Sequence, residues 1–193
     1  MKSDSRFEFR IWTNACHAQG LARRLEVECH PKVEARRDIY FLIDGEPDLL
    51  AKLRGERRLE IKQLCAKIEP FQQWATALHC DPPYRPSDIS TFNRLTGLTL
   101  ASTKARQPQQ VEEGAALAPA CRLVTIDKTR RLWTLQNVQC EVTEAALADR
   151  RGWSVAFEGD DLPTLRRLAW DLDILEYANV HYGVWLRRAL RPE

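Results

Sequence analysis

Lysines, arginines and glutamates recur in this chain at alternate positions of short strand-like segments. Examples are Arg6-Phe7-Glu8-Phe9-Arg10-Ile11-Trp12, Ala51-Lys52-Leu53-Arg54, Leu59-Glu60-Ile61-Lys62, Ile126-Asp127-Lys128-Thr129-Arg130 and Ala156-Phe157-Glu158. Residues two apart in a strand share a face. Each segment therefore gathers charge on one face and apolar groups on the other, with Arg10, Lys52, Arg54, Lys62, Lys128 and Arg130 as cations. Guanidinium groups make paired hydrogen bonds to phosphate oxygens, and an ammonium group acts on them as a point charge. One such strand is an ordinary solvated surface strand, whereas several point to a sheet closed around a charged interior that holds a polyanion. The competing reading is an open sheet whose solvent-facing cations pair across strands with Glu8, Glu60 and Glu158.

The elements that must position these residues follow from periodicity and turn chemistry. Arg6 to Trp12 reads as a first strand, and Ala15 to Leu25 as a helix capped by Asn14. Asp38 to Ile43 is a β-branched and aromatic strand ending at Asp44-Gly45, and Leu49 to Arg54 with Arg57 to Leu64 forms a hairpin around Gly55-Glu56. Phe71, Trp74, Ala75 and Leu78 have helical spacing, so Glu69 to Leu78 reads as a helix broken by Pro82-Pro83 and Pro86. Ser87 or Asp88 caps a second helix through Leu95, which Gly97 ends. Residues 69–97 are thus expected to be a helical insertion, and the Gln-, Glu-, Ala- and Pro-rich stretch 102–119 a loop. Strands resume at Cys121 to Thr134, Val138 to Thr143 and Trp153 to Glu158, with a helical turn at Glu144 to Asp149. Two helices close the chain, one opened by Asp160-Asp161-Leu162-Pro163 and one over Tyr177 to Leu190. The order of strands, helices, strands and helices gives an α+β domain with a mostly antiparallel sheet.

Composition bounds the possibilities. A chain of 193 residues with 44% hydrophobic and 29% charged residues can build one globular domain, and residues 1–193 are read as one. The formal net charge of +2 supplies no general basic field, so anion binding must come from local placement. This argues against nucleic acid as a partner, a phosphorylated RNA end excepted. Met1 to Arg6 carries no apolar signal region and no apolar run reaches membrane length, so the expected location is cytoplasmic. The six cysteines include the pairs Cys16-His17, Cys29-His30 and His79-Cys80. Neighbours in a strand point to opposite faces, so these pairs make a poor zinc site, and reduced thiols, mostly buried, are the simpler reading. The six tryptophans read as wall packing, and no glycine-rich phosphate loop, histidine triad or nucleophile elbow is visible.

The order of these motifs resembles the CYTH-like, or triphosphate tunnel metalloenzyme, superfamily. Arg6-x-Glu8-x-Arg10 stands where the family has E-x-E-x-K on its first strand. Asp38-x-Tyr40-Phe41, Lys52-x-Arg54 and Leu59-Glu60-Ile61-Lys62 are similar to its D-x-Y-[FY], L-R-x-R and L-T-[IL]-K stretch. Lys128-x-Arg130 resembles its K-x-R strand. Ala156-Phe157-Glu158-Gly159-Asp160 and Asn179-x-x-Tyr182-x-x-Trp185-Leu186 resemble its later E-x-E-G strand and closing segment. The resemblance implies an antiparallel eight-stranded β-barrel, or tunnel, with flanking helices. It implies a triphosphate, polyphosphate or nucleotide ligand gripped by Arg10, Lys52, Arg54, Lys62, Lys128 and Arg130. It further implies Mg²⁺ or Mn²⁺ held by Glu8 and Glu158, supplemented by Glu60 and Glu141 where they face inward, and metal-dependent phosphohydrolysis.

The departures are specific. Arg6 and Ala156 stand where the family has carboxylates, leaving only Glu8 and Glu158, and Val180 stands where a lysine is common. A degenerate barrel that senses polyanions or binds proteins without catalysis is therefore the alternative. The family also contains adenylate cyclases, which nothing in this chain favours. The substrate and the oligomeric state are not legible.

Overall fold

The computed structural model describes residues 5–101 and 103–191, so Ser102, the first residue of the expected loop, and Met1 to Asp4 of the N-terminal reading lie outside the described residues. The elements in chain order are β1 (Ser5–Thr13), α1 (Ala15–Glu26), β2 (Lys32–Ile43), β3 (Leu49–Arg54), β4 (Arg58–Ile68), β5 (Phe71–Cys80), α2 (Pro86–Thr96), α3 (Pro108–Ala116), β6 (Cys121–Leu135), β7 (Val138–Leu147), β8 (Arg150–Gly159), α4 (Leu162–Asp171) and α5 (Tyr182–Ala189). The strands close into a barrel in the order β1-β5-β4-β3-β2-β6-β7-β8. The ladders of β1 with β5 and β8, β3 with β2 and β4, and β7 with β6 and β8 are antiparallel. The expected α+β barrel with flanking helices is the observed fold. None of the described helices is long and apolar enough to cross a membrane.

The chain divides into two compact units, each with its own core. The first comprises Met1–Arg36, Leu64–Ala75 and Asp127–His181. In it Phe9 and Ile11 of β1 and Val155 and Phe157 of β8 pack under Ala18, Leu21, Ala22 and Leu25 of α1 and Leu165 and Ala169 of α4. These apolar positions alternate along each strand, so the intervening residues Glu8, Arg10, Ser154, Ala156 and Glu158 occupy the opposite, interior face. The second comprises Arg37–Gln63, Thr76–Ile126 and Tyr182–Glu193. There Ile39 and Phe41 of β2, Leu53 of β3 and Leu59 and Ile61 of β4 pack under Ile89 and Phe92 of α2 and Val111 and Ala115 of α3. The interior positions are then Asp38, Tyr40, Lys52, Arg54, Glu60 and Lys62.

The caps read from sequence are present at two helices. Asn14 Oδ1 accepts the His17 N–H at 2.9 Å at the start of α1. Gly97 ends α2 in the left-handed region, with φ of 70°. The start of α2 is a correction. Arg85 is its N-cap, Pro86 opens its first turn, and Asp88 accepts the Arg85 backbone N–H at 2.9 Å from the third helical position. Neither Ser87 nor Asp88 is the cap.

Five further expectations are corrected. Residues 71–80 are strand β5, so the helical insertion at 69–97 reduces to α2. Both faces of β5 are covered: Phe71 lies 5.4 Å from the Phe9 ring, and Trp74, on the other face, meets the His181 ring edge-on at 5.0 Å. Apolar residues therefore occur at both parities and mimic helical spacing. The 102–119 segment is not all loop, because Pro108–Ala116 forms α3, whose buried Val111 and Ala115 are one turn apart. Its Ala, Glu and Gln content favours a helix. Glu144 to Leu147 continues β7 rather than turning, with Glu144 opposite Trp153 and Leu147 opposite Arg150. The last helix starts at Tyr182 because the Val180 N–H donates to Arg10 O at 2.8 Å, across to β1 instead of back along a helix. Of the six reduced thiols only Cys140 is buried, while Cys16 and Cys65 are exposed.

Candidate functional site

The interior face of the first unit is organised around one carboxylate, Glu141 of β7. Cross-strand register sets Arg10 of β1 opposite Ala156 of β8, and Ala156 opposite Glu141. Alanine leaves room for the Arg10 side chain to pass over β8, and its Nη1 reaches Glu141 Oε1 at 3.2 Å. The same Nη1 donates to Ser154 Oγ at 3.0 Å, and Arg10 Nε donates to Glu8 Oε1 at 2.9 Å. On the other side of Glu141, Arg130 Nη2 donates to Oε2 at 2.5 Å and Thr143 Oγ1 donates to Oε1 at 2.6 Å. Arg130 Nη1 also donates to Glu34 Oε1 at 3.3 Å, and Arg36 Nη1 binds that same oxygen at 2.9 Å. Arg10, Lys128, Arg130 and Glu141 are all buried. Burial pushes the Glu141 carboxyl up, but the Arg10 and Arg130 charges and the Arg130 and Thr143 hydrogen bonds outweigh it and hold it well below the ordinary carboxylate value.

The second unit repeats the device. Glu60 of β4 is in register with Lys52 of β3, and Lys52 with Tyr40 of β2. Lys52 Nζ lies 2.8 Å from Glu60 Oε1, Arg54 Nη1 3.4 Å from Oε2, and His79 Nδ1 4.0 Å from Oε2. Lys52 Nζ also stands 5.7 Å from the centre of the Tyr40 ring, at the outer reach of a cation–π contact. Burial again pushes the carboxyl up, and Lys52, Arg54 and Lys62 override it, holding Glu60 far below its ordinary value. Asp38, fully buried, accepts the Gly55 N–H at 2.9 Å and so pins the β3–β4 turn.

Each cation expected at the site thus lies on the strand foreseen for it. Arg10, Lys128 and Arg130 belong to the first unit, and Lys52, Arg54 and Lys62 to the second. Glu60 and Glu141 face inward, but as anchors for cations. Sequence reasoning missed Ser154, Thr143 and Asn179. Asn179 Oδ1 accepts the Arg10 N–H at 3.0 Å, while its Nδ2 donates to Glu8 O at 3.0 Å and Pro70 O at 2.8 Å. Its place in the closing-segment motif was the available signal.

Glu8 and Glu158 are in direct cross-strand register, so their side chains share one face. Mg²⁺ is commonly held by one or two hard carboxylates alongside phosphate oxygens, so the pair is sufficient in number. Each already faces a guanidinium, however. Arg10 Nε lies 2.9 Å from Glu8 Oε1, and Arg6 Nη1 lies 3.8 Å from Glu158 Oε1. Among the described residues no group of three or more His, Cys, Asp or Glu side chains is placed to hold an ion. The pair does not fit a resident divalent ion, because positive charge is already built in beside both carboxylates.

No protein-family profile matches the chain, and no curated protein matches it. Solved structures do. HpAC1 from Hippeastrum, an adenylyl cyclase candidate with a dominant triphosphatase activity, is 14% identical with a TM-score of 0.60, covering 97% of this chain and 98% of its own. An adenylate cyclase candidate from Bacillus halodurans is 10% identical with a TM-score of 0.56, covering 99% and 100%. A conserved hypothetical protein from Pyrococcus furiosus is 16% identical with a TM-score of 0.55, covering 92% and 98%. With the strand order and the inward-facing charges, these likenesses give the architecture its name: the chain has the CYTH-like tunnel fold, a closed eight-stranded antiparallel β-barrel.

Proposed function

We propose that this barrel binds the phosphate chain of a triphosphate- or polyphosphate-containing ligand through fixed cations on the interior faces of its strands. Arg10, Lys128 and Arg130 serve in the first unit, and Lys52, Arg54 and Lys62 in the second. The observation that carries the reading is the Arg10–Glu141–Arg130 cluster. Two guanidinium-bearing residues only 6% and 5% exposed share one ionised carboxylate, which the Thr143 hydroxyl also holds, and the Ser154 hydroxyl accepts from Arg10. Burying such charge is costly for a fold that gains only stability from it. Donors held in place before a ligand arrives lose little entropy on binding it, and in reduced dielectric their attraction for an anion is strong. The triphosphatase activity of HpAC1, which shares the fold, agrees in kind.

Metal-dependent hydrolysis is the second reading, and one observation favours it: the register that sets Glu8 beside Glu158. One experiment addresses both readings. Tripolyphosphate and ATP are tested for thermal stabilisation of the protein and for phosphate release, with Mg²⁺, with Mn²⁺ and with EDTA. Stabilisation that Lys128→Ala or Arg130→Ala weakens, without release, supports the binding barrel. Metal-dependent release abolished by the Glu8→Gln/Glu158→Gln double variant replaces it with a phosphohydrolase. Neither stabilisation nor release refutes both.

A further inference from the structure

Arg6 shares the interior face of β1 with Glu8 and Arg10, since the three alternate along the strand. Its Nη1 lies 3.8 Å from Glu158 Oε1 and its Nε 3.2 Å from Asp160 Oδ1, and its side chain is 40% exposed. Glu158 is the carboxylate that a divalent ion would share with Glu8. An ion bound there at ~2.1 Å from an oxygen would stand within a few ångströms of the Arg6 guanidinium, whose charge repels it. Arg10, hydrogen-bonded to Glu8, repels it from the other side.

We infer that Arg6 takes over the role of the divalent ion, so that this barrel binds phosphate chains without metal and Arg6 itself contacts the phosphate oxygens. The inference rests on the phosphate-binding reading above and specifies how charge is supplied at that site. Arg6 is suited to the task in a way the buried arginines are not. Its exposure leaves N–H groups of the fork open to an incoming anion, while Asp160 and Glu158 hold its direction. Carboxylates that orient a guanidinium are weaker competitors for its remaining donors than the oxygens of a triphosphate chain, which carries more charge.

The test is calorimetric titration with tripolyphosphate, in EDTA and in Mg²⁺, of the wild-type chain and of Arg6→Ala, Arg6→Lys and Arg6→Glu. Wild-type binding is expected to be as tight or tighter in EDTA, because Mg²⁺ neutralises the ligand. Arg6→Ala should weaken binding in EDTA by roughly tenfold to a hundredfold, the value of a charged hydrogen-bond pair. Arg6→Lys should recover only part of it. Arg6→Glu should bind detectably only with Mg²⁺. Wild-type binding that requires Mg²⁺, or an Arg6→Ala affinity equal to wild type in EDTA, overturns the inference and leaves the phosphate-binding reading standing. No binding by the wild type in either buffer removes both. A partly exposed residue at the strand start is not part of either core, so the variants retain the fold, and their unliganded melting temperatures check this.

Discussion

Replacing Glu141 with glutamine removes one negative charge and almost no volume from the centre of the first cluster. Three interactions change: the donors from Arg10 at 3.2 Å, Arg130 at 2.5 Å and Thr143 at 2.6 Å lose a carboxylate and meet an amide. Removing one partner of a buried ion pair costs about 3–5 kcal/mol. Here the lower end applies, because Arg10 keeps Glu8 at 2.9 Å and Arg130 keeps Glu34 at 3.3 Å. In a chain of this size about 3 kcal/mol lowers the melting temperature by about 6–12 °C. Binding should move the opposite way. With less internal negative charge, the two guanidiniums attract a phosphate chain more strongly, so tripolyphosphate should raise the melting temperature of Glu141→Gln by more than that of wild type. Differential scanning calorimetry across a ligand series at neutral pH reads both effects. The sign of the pH dependence follows from the depressed carboxyl: its stabilisation is complete above the ordinary value and is lost as pH falls through the folded one. The gap between wild type and variant should therefore persist to about pH 4 and close only in stronger acid. A variant that melts within about 2 °C of wild type, or one whose ligand response is smaller, refutes the idea that Glu141 restrains two phosphate-binding arginines.

Other outcomes follow from the same geometry. Glu60, depressed by Lys52 and Arg54 against its burial, gives the second unit its own acid sensitivity, so Glu60→Gln should flatten the fall of melting temperature below the ordinary carboxylate value of 4.5. A slope equal to wild type would count against the assignment. Asn179→Ala leaves the Arg10 N–H and the Glu8 and Pro70 carbonyls without their side-chain partner and should cost about 3 kcal/mol in urea unfolding, at about 1 kcal/mol for each of these part-buried groups, the low end of the range; Asn179→Asp keeps only the acceptor and should recover less than half. In thiol titration Cys16 and Cys65 should react first. Cys140, buried and with its thiol pushed up to about 12, should react only on unfolding. A Cβ on Gly159 would sit 2.9 Å from Leu165 Cδ1 and 3.4 Å from Val138 Cγ2, so Gly159→Ala should destabilise by about 1 kcal/mol, the low end for overpacking because a leucine methyl can yield.

The barrel is legible in the sequence because its signal is local. Strand alternation at Arg6 to Trp12, Leu49 to Lys62 and Ala156 to Glu158 depends only on which face is covered, and the helices over that face impose it directly. β5 is not legible, since Phe71 and Trp74 bury opposite faces and erase the two-residue period. α3 is obscured because Pro108 and Pro119 read as loop residues more strongly than the four-residue spacing of Val111 and Ala115 reads as helix. At the site, the cations can be named because each strand carries its own. What joins them cannot. Glu141 reaches Arg10 across an intervening strand only because Ala156 is small, and that fact lies in the register of β1, β8 and β7 rather than in any one segment. Ala156, which in the sequence reads as a lost carboxylate, is in the structure the opening through which Arg10 passes.

The strand order has a consequence for synthesis. β1 begins at Ser5, yet its two barrel neighbours begin at Phe71 and Arg150. At a translation rate of about 5–20 residues per second, β5 is made roughly 3–13 s after β1, and β8 roughly 7–30 s after it. For that interval the first strand offers one or both edges, with Phe7, Phe9 and Ile11 along it, to any other extended chain nearby. The nascent protein must carry β1 unpaired until β5 has emerged and with one edge open until β8 has, and the ladder that closes the wall is the last to form.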